Sequence, residues 1–475
     1  MKDMRKNPVP QEHCGRKLTF NMAASGASGV VGCLVTVVSY PVYLHYLGYN
    51  ELGLWLVLST FVTLCQLGSL GIAPAVSKLV AEEFGEGNIH GAQRYADLAV
   101  FSVAVLGTAT VGLLLLFRAL ILHSLHLSTE TEHAVVRLLP LILIISFYVF
   151  LTDVFGAVLT GLGRMDLTSA IQAGGQAVAL GCSSILLAMH QGVIALAFGM
   201  LASLVIIHIF TAVFAWRLGP VALRPALRLD WPRSRRLLRL ASTVFATSLA
   251  AALFVPLNKL LLSRYVGLSA VPVYDLAFTG SMRLRALFEM ALRPIMPALS
   301  SAVSSGRNLH AELERVNHKA QSLLILGGLA FGLVFLFADP LLRIWLRHSM
   351  NPAIPGALRL ALLGAFVSLL GVPAFYALLG LNRAGSLFVS HVIQSATNAA
   401  VVLLAVVVGF RVSLSVLLAA SGLAMGASTC FLVARYRASQ RGLGSAAGRP
   451  GRDDPGITDV VIAASPGMML GSEKA

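Results

Sequence analysis

Five ionisable residues fall within one otherwise apolar stretch of this chain, 269–300: Asp275, Arg283, Arg285, Glu289 and Arg293. Wound as a helix at about 100° per residue, Asp275 and Arg293 share one azimuth. Arg285 and Glu289 lie within about 80° on one side of it, and Arg283 about 80° on the other. Arg285–Glu289 and Glu289–Arg293 stand at the four-residue spacing of helical ion pairs. Lys259 and Asn258 belong to the preceding apolar stretch. Four cations thus face two carboxylates. Guanidinium keeps its proton when desolvated, and its fork matches phosphate oxygens. The chemistry open to this set is the holding of an anion. A set of internal ion pairs bracing the helices is the other reading of the same residues.

Further polar residues stand out against apolar surroundings. Asn21 and Asn258 are candidates to line the same cavity. Asp97 and Asp153 are candidates to couple a Na+ or H+ gradient, with helix capping as the alternative. Glu289 and Asp275 serve as ion-coupling or charge-pairing groups on the same footing. His45, His208 and His391 read as packed or interfacial residues. The five cysteines form neither a CxxC pair nor a Cys/His cluster at metal spacing. No phosphate-binding Gly-rich loop with Lys-Ser/Thr occurs, so ATP is not expected as a direct energy source. No metal or organic cofactor is expected.

The elements carrying these residues follow from composition. Hydrophobic residues make up 57% of the 475 and charged residues 12%, against about 25% charged in soluble domains. There is too little polar residue to cover a soluble surface. A membrane-spanning helix needs about 20 mainly apolar residues. Twelve stretches satisfy this: 18–46, 52–80, 95–118, 135–161, 167–189, 193–217, 238–263, 269–300, 319–338, 355–381, 386–409 and 412–436. Pro41, Pro74, Pro256, Pro294 and Pro373 fall inside them and predict bends. A cation at the centre of a bilayer costs at least about 2.5–3.5 kcal/mol. The charges near 275–293 must therefore face water or one another, not lipid.

The net charge of +15 does not point to nucleic acid. Basic residues gather at the ends of apolar stretches, where they meet anionic headgroups. With the N-terminus in the cytoplasm, 25 Lys and Arg fall on the inner side and six on the outer. The excess predicts that both termini are cytoplasmic. Four parts result: a six-helix lobe at 1–217, a basic amphipathic cytoplasmic linker at 218–237, a second six-helix lobe at 238–437, and a disordered cytoplasmic tail at 438–475.

The lobes repeat at a shift of about 220 residues. Tyr46-Leu47-Gly48 matches Tyr265-Val266-Gly267, Pro74 matches Pro294, and Asn88-Ile89-His90 matches Asn308-Leu309-His310. Gly161-Leu162-Gly163-Arg164 matches Gly380-Leu381-Asn382-Arg383. Six helices per lobe leave both lobes in one orientation. The predicted fold is therefore an all-α integral membrane protein, with two six-helix lobes related by a pseudo-two-fold axis along the membrane normal. This is one of the layouts of alternating-access transporters. The repeat partner of 269–300, at 52–77, carries no lysine, arginine, aspartate or glutamate, so the scaffold itself does not require the charges.

Tyr46-Leu47-Gly48-Tyr49-Asn50-Glu51-Leu52-Gly53-Leu54-Trp55, Leu67-Gly68-Ser69-Leu70-Gly71-Ile72 and Gly161-Leu162-Gly163-Arg164 resemble the polysaccharide flippases. These are the O-antigen (Wzx-like) branch of the multidrug/oligosaccharidyl-lipid/polysaccharide (MOP) exporter superfamily. The likeness covers about 15–437. It implies a non-enzymatic transporter that moves undecaprenyl-diphosphate-linked oligosaccharide across the bacterial inner membrane for polysaccharide biosynthesis. A polysaccharide polymerase and glycosyltransferases are the implied partners, alongside membrane lipids. The family's cavity is lined by helices one, two, seven and eight, which assigns substrate to Arg283, Arg285, Arg293, Lys259, Asn258 and Asn21. The chain lacks the two further C-terminal helices usual in lipid II flippases. The competing expectations are a drug or organic-cation antiporter on this scaffold and, further off, a membrane glycan polymerase or glycosyltransferase.

Overall fold

The computed structural model describes residues 11–66, 71–116, 129–218, 230–252, 254–292, 295, 299, 309–381 and 383–447. Among these residues all regular structure is helical. The helices are α1 (Gln11–Gln66), α2 (Ile72–Gly85), α3 (Ile89–Leu116), α4 (Thr129–Gly161), α5 (Met165–Ala188) and α6 (Ile194–Leu218). They continue as α7 (Trp231–Ala252), α8 (Phe254–Tyr265), α9 (Ala270–Leu292), α10 (Leu309–Leu336) and α11 (Ala338–Leu346). A 3-10 turn (Arg347–Ser349) leads into α12 (Ala353–Gly380), α13 (Ala384–Val407) and α14 (Leu414–Ala447).

Among the described residues, nine helical stretches are long and apolar enough to cross a membrane. They account for the predicted segments with two local departures. The first stretch, Gly29–Thr63, holds most of the segment predicted at 18–46 and the start of that predicted at 52–80, with a kink at Gly48 between them (φ 66°, ψ −174°); the later part of 52–80 falls in α2. The segments predicted at 238–263 and 269–300 do not join the nine. The first falls on α7 and α8, either side of residue 253, which lies outside the described residues, and α9 carries Asp275, Arg283, Arg285 and Glu289. Lipid-compatible surface is plentiful elsewhere: Leu329, Leu333, Leu336 and Val407 are all more than half exposed. With no polar cover, such a surface suits hydrocarbon and not water.

The repeat is visible in the packing. α1 lies on α5 as α7 lies on α13, and α2 on α4 as α9 on α12. α4 lies on α6 as α12 on α14, and α5 on α6 as α13 on α14. Gly48 and its repeat partner Gly267 both have positive φ, 66° and 115°, a conformation that a Cβ disfavours. Each glycine turns the chain between the first two helices of its lobe. Close helix approach within a lobe relies on small residues, as at Gly364, where an added Cβ would sit 2.8 Å from the Gly422 Cα.

The prolines named above fall in several settings. Pro74 occupies the first turn of α2, where the missing N–H has no intrahelical partner to lose. Pro41 and Pro373 lie inside α1 and α12. Pro294 lies outside the described residues. Residues 231–237, predicted as part of the linker, form the first turns of α7. Residues 438–447, predicted as tail, continue α14.

Candidate functional site

The lobes meet along α1, α8 and α9 on one side and along α2, α3 and α7 on the other. α9 carries its charges into three separate settings. Near the start of α9, Asp275 Oδ1 accepts from Lys259 Nζ of α8 at 2.5 Å and from the Thr279 hydroxyl at 3.3 Å. Its other oxygen accepts from the Tyr40 hydroxyl of α1. The two charged side chains are 14% and 9% exposed. A buried pair of this kind offsets its desolvation only when its remaining lone pairs are also filled, and here Tyr40 and Thr279 fill them. Because Tyr40 belongs to the other lobe, the network also ties the lobes together. Nearby, Trp345 Nε1 donates to the Val37 carbonyl at 2.8 Å and the Tyr49 hydroxyl to the Ser349 carbonyl at 2.5 Å. Gly53 lies so close to Leu268 that an added Cβ would be 2.0 Å from its carbonyl oxygen.

Farther along α9, Arg285 pairs with Glu289 at 3.4 Å, the spacing expected one helical turn apart. Glu289 also accepts from the Tyr376 hydroxyl of α12 at 3.0 Å. This second setting therefore faces the interior of the C-terminal lobe. Arg285 Nε is buried with no hydrogen-bond partner among the described residues.

Arg283 stands apart from both. It is exposed, and among the described residues it has no ion-pair or hydrogen-bond partner. It points across the inter-lobe boundary toward α1 and α5. A Cβ added at Gly32 would lie 3.7 Å from Arg283 Nη1 and 2.9 Å from Gln176 Oε1. The missing side chain at Gly32 thus leaves room for a guanidinium and an amide to converge from opposite lobes.

Asn258 is fully buried inside the C-terminal lobe. Its Nδ2 donates to the Tyr274 hydroxyl at 3.1 Å and to Ser421 Oγ at 3.0 Å, and its Oδ1 accepts from Asn398 Nδ2 at 3.0 Å. Both amide hydrogens and the amide oxygen are engaged within α8, α9, α13 and α14. Asp97 accepts from Gln93 Nε2 at 2.5 Å within α3, and Asp153 is half-buried and engaged on α4. His208 stacks on Tyr148 and meets the edge of Phe155. Arg293 and the side chain of Asn21 lie outside the described residues. The structure thus brings Lys259 to Asp275 and Arg285 to Glu289, and leaves Arg283 between the lobes. Tyr40, Tyr376, Gln176 and Gly32 were not found from the sequence. An isolated tyrosine, glutamine or glycine in an apolar run carries no spacing signal; only the partner across space reveals its part.

The basic end of the α2/α3–α7 boundary is held by charge. Arg236 of α7 meets Glu82 of α2 at 2.8 Å, and Lys78 reaches the same carboxylate at 3.9 Å. Asp230 accepts from Arg233 and lies 3.9 Å from Arg94 of α3. Arg233 also lies over the Tyr95 ring at 6.0 Å. The hydrogen bond from Arg233 holds the Asp230 carboxyl below the usual carboxylate range.

The MatE family profile matches residues 31–178. No curated protein matches the sequence. Among solved structures, an inward-facing multidrug resistance MATE family transporter of the MOP superfamily superposes with a TM-score of 0.70 at 14% identity, covering 93% of this chain and 97% of that one. The lipid II flippase MurJ in an inward closed conformation gives 0.65 at 14%, covering 88% and 87%. A MOP superfamily transporter from Pyrococcus furiosus, described as having a binding pocket of reverse polarity and a different function, gives 0.63 at 15%, covering 90% and 96%. At these identities the likeness is one of fold. By that fold the chain is a multi-pass membrane protein built on the two-lobed architecture of MATE transporters.

Proposed function

We propose that this protein is an alternating-access flippase for an anionic, lipid-linked oligosaccharide, a glycan on undecaprenyl diphosphate. On this reading it lies in the inner membrane of a bacterium with both termini cytoplasmic, and a Na+ or H+ gradient drives it. The observation that carries the proposal is Arg283, a guanidinium at the boundary between the lobes with no carboxylate to neutralise it among the described residues. The flanking charges are paired, Lys259 by Asp275 and Arg285 by Glu289. Among the described residues of α9, Arg283 therefore supplies a positive charge available to a phosphate, and Gln176 the facing polar group. Glycosyltransferases and a polysaccharide polymerase act before and after it.

The competing reading is an organic-cation antiporter. It draws support from the multidrug activity named for the inward-facing neighbour, and from the pairing of Lys259 and Arg285, which lowers the cationic surplus. The two readings predict opposite effects at one residue. A phosphate-binding guanidinium contributes about 1.5–3 kcal/mol, so Arg283→Ala should slow flipping of lipid-linked oligosaccharide in proteoliposomes roughly ten- to hundredfold. Arg283→Lys should restore part of the rate. Flipping unchanged in Arg283→Ala, or transport of organic cations that rises when Arg283 is removed, would sink the flippase reading.

A further inference from the structure

Residues 337–352 join two stretches long and apolar enough to span a membrane, Leu313–Leu336 and Ala353–Gly380, and α11 lies within them. We propose that α11 is an interfacial helix that docks phospholipid at the Gly48 end of the bundle: its apolar side enters the acyl chains, and Arg343 and Arg347 bind the phosphate of an anionic headgroup. The proposal does not rest on the flippase reading.

Nine residues make a helix of about 13 Å, too short to cross a bilayer. Pro340 withholds the amide that would bond the Leu336 carbonyl, and α10 ends there. Arg359 of α12 holds the junction: its Nε donates to the Phe335 carbonyl at 3.1 Å and its Nη2 to Asp339 at 2.5 Å. The two stretches that α11 joins thus place it at a membrane boundary.

At about 100° per residue its side chains form three sectors. Ala338, Leu342 and Leu346 are buried and face protein. Leu341 and Ile344, 50% and 75% exposed, centre about 130° from them. Arg343 falls about 100° from the buried sector on its other side, and Arg347 follows one turn later. Both arginines are exposed, and neither side chain has an ion-pair or hydrogen-bond partner among the described residues. A helix lying along a bilayer surface has this cross-section, with apolar side chains at the acyl boundary and cations at the headgroups. The apolar sector continues the exposed Leu333 and Leu336 of α10. Two guanidinium forks one turn apart suit phosphate oxygens, whereas a soluble anion has no use for Leu341 and Ile344.

The protein side of α11 reaches the other lobe through Trp345, whose Nε1 donates to the Val37 carbonyl of α1. Val37 stands four residues before Pro41, so its carbonyl lacks the amide that a helix would offer it. The indole supplies that donor. Lipid that seats α11 therefore also favours contact between the lobes at this end.

The test places a fluorescent amino acid at position 344 of the full-length protein in liposomes, with phosphatidylglycerol or phosphatidylcholine brominated on the acyl chains as quencher. Both lipids are expected to quench, phosphatidylglycerol more strongly. Arg343→Gln should lower the ratio of the two quenching constants about fivefold, Arg343→Gln/Arg347→Gln should bring it toward unity, and the Lys/Lys variant should keep much of it. Quenching by aqueous iodide in place of either lipid, equal quenching by the two lipids, or an undiminished ratio in the Gln/Gln variant would overturn the site. Stoichiometric reversal of the preference by undecaprenyl diphosphate would also overturn it, by making α11 a substrate site. Exchanging phosphatidylcholine for phosphatidylglycerol should enrich the short component of spin-label distances between α1 and α9 in wild type and not in Trp345→Phe. No enrichment in wild type, or the same enrichment in Trp345→Phe, would overturn the link to the lobes.

Discussion

Replacing either member of the Lys259–Asp275 pair should destabilise the protein far more than replacing both. The side chains are 14% and 9% exposed, so neither charge recovers much hydration when its partner is removed. Breaking a buried pair from one side costs about 3–5 kcal/mol, whereas exchanging both members for uncharged groups is often neutral. The two single costs should differ. Asp275→Asn strands an ammonium whose ion-pair partner is lost, and its cost belongs at about 4–5 kcal/mol. Lys259→Met leaves the carboxylate with the Tyr40 and Thr279 hydroxyls. Hydrogen bonds to a charged group contribute about 1.5–3 kcal/mol, so this cost should fall to roughly 2–3 kcal/mol. The double variant should lie within about 1 kcal/mol of wild type. Reversible unfolding in mixed micelles, read as a double-mutant cycle, measures all three values. Additivity within about 0.5 kcal/mol, or a Lys259→Met cost above that of Asp275→Asn, would refute the view of this network as one buried, mutually satisfied unit.

Tyr40→Phe removes a bond between the lobes without touching the ion pair. It should shift the equilibrium toward parted lobes by roughly ten- to hundredfold, seen as a longer component in spin-label distances between α1 and α9; an unchanged distribution would count against an inter-lobe role. Gly53→Ala places a methyl against the Leu268 backbone carbonyl and should cost about 1–3 kcal/mol, whereas Gly112→Ala, with nothing within 4 Å of the new Cβ, should stabilise α3 by up to about 1 kcal/mol; thermal unfolding compares them. Asp230 has its folded-state carboxyl lowered by Arg233, so its contribution is full above the ordinary carboxylate value of roughly 4 and is lost as pH falls through the lowered folded value. The stability difference between wild type and Asp230→Asn should follow that course, and a difference that persists in strong acid would contradict it.

Much of the architecture was legible in the sequence because the bilayer imposes it one segment at a time. A run of about 20 apolar residues must form a helix, since hydrocarbon offers no partner to backbone amides. The segments were therefore readable from local hydropathy, and the two-lobed repeat from matches such as Gly48 with Gly267. Those matches proved physical: both glycines adopt the positive φ that their turns require.

The α9 charges show where local reasoning ends. Their presence inside a membrane segment demanded either water or partners, and azimuth grouped them as one stripe. Three-dimensional packing divided that stripe. Lys259 comes from another helix to meet Asp275, Tyr376 from another to meet Glu289, and the gap at Gly32 receives Arg283. Each outcome depends on which helix lies opposite, a matter of side-chain volume and lobe packing distributed over hundreds of residues. Residue type and spacing determined that charge would be held inside this protein; only the tertiary structure decided which of the described charges neutralise one another and that Arg283 faces the other lobe. The physical reason is that hydropathy acts segment by segment, while electrostatic pairing acts across space.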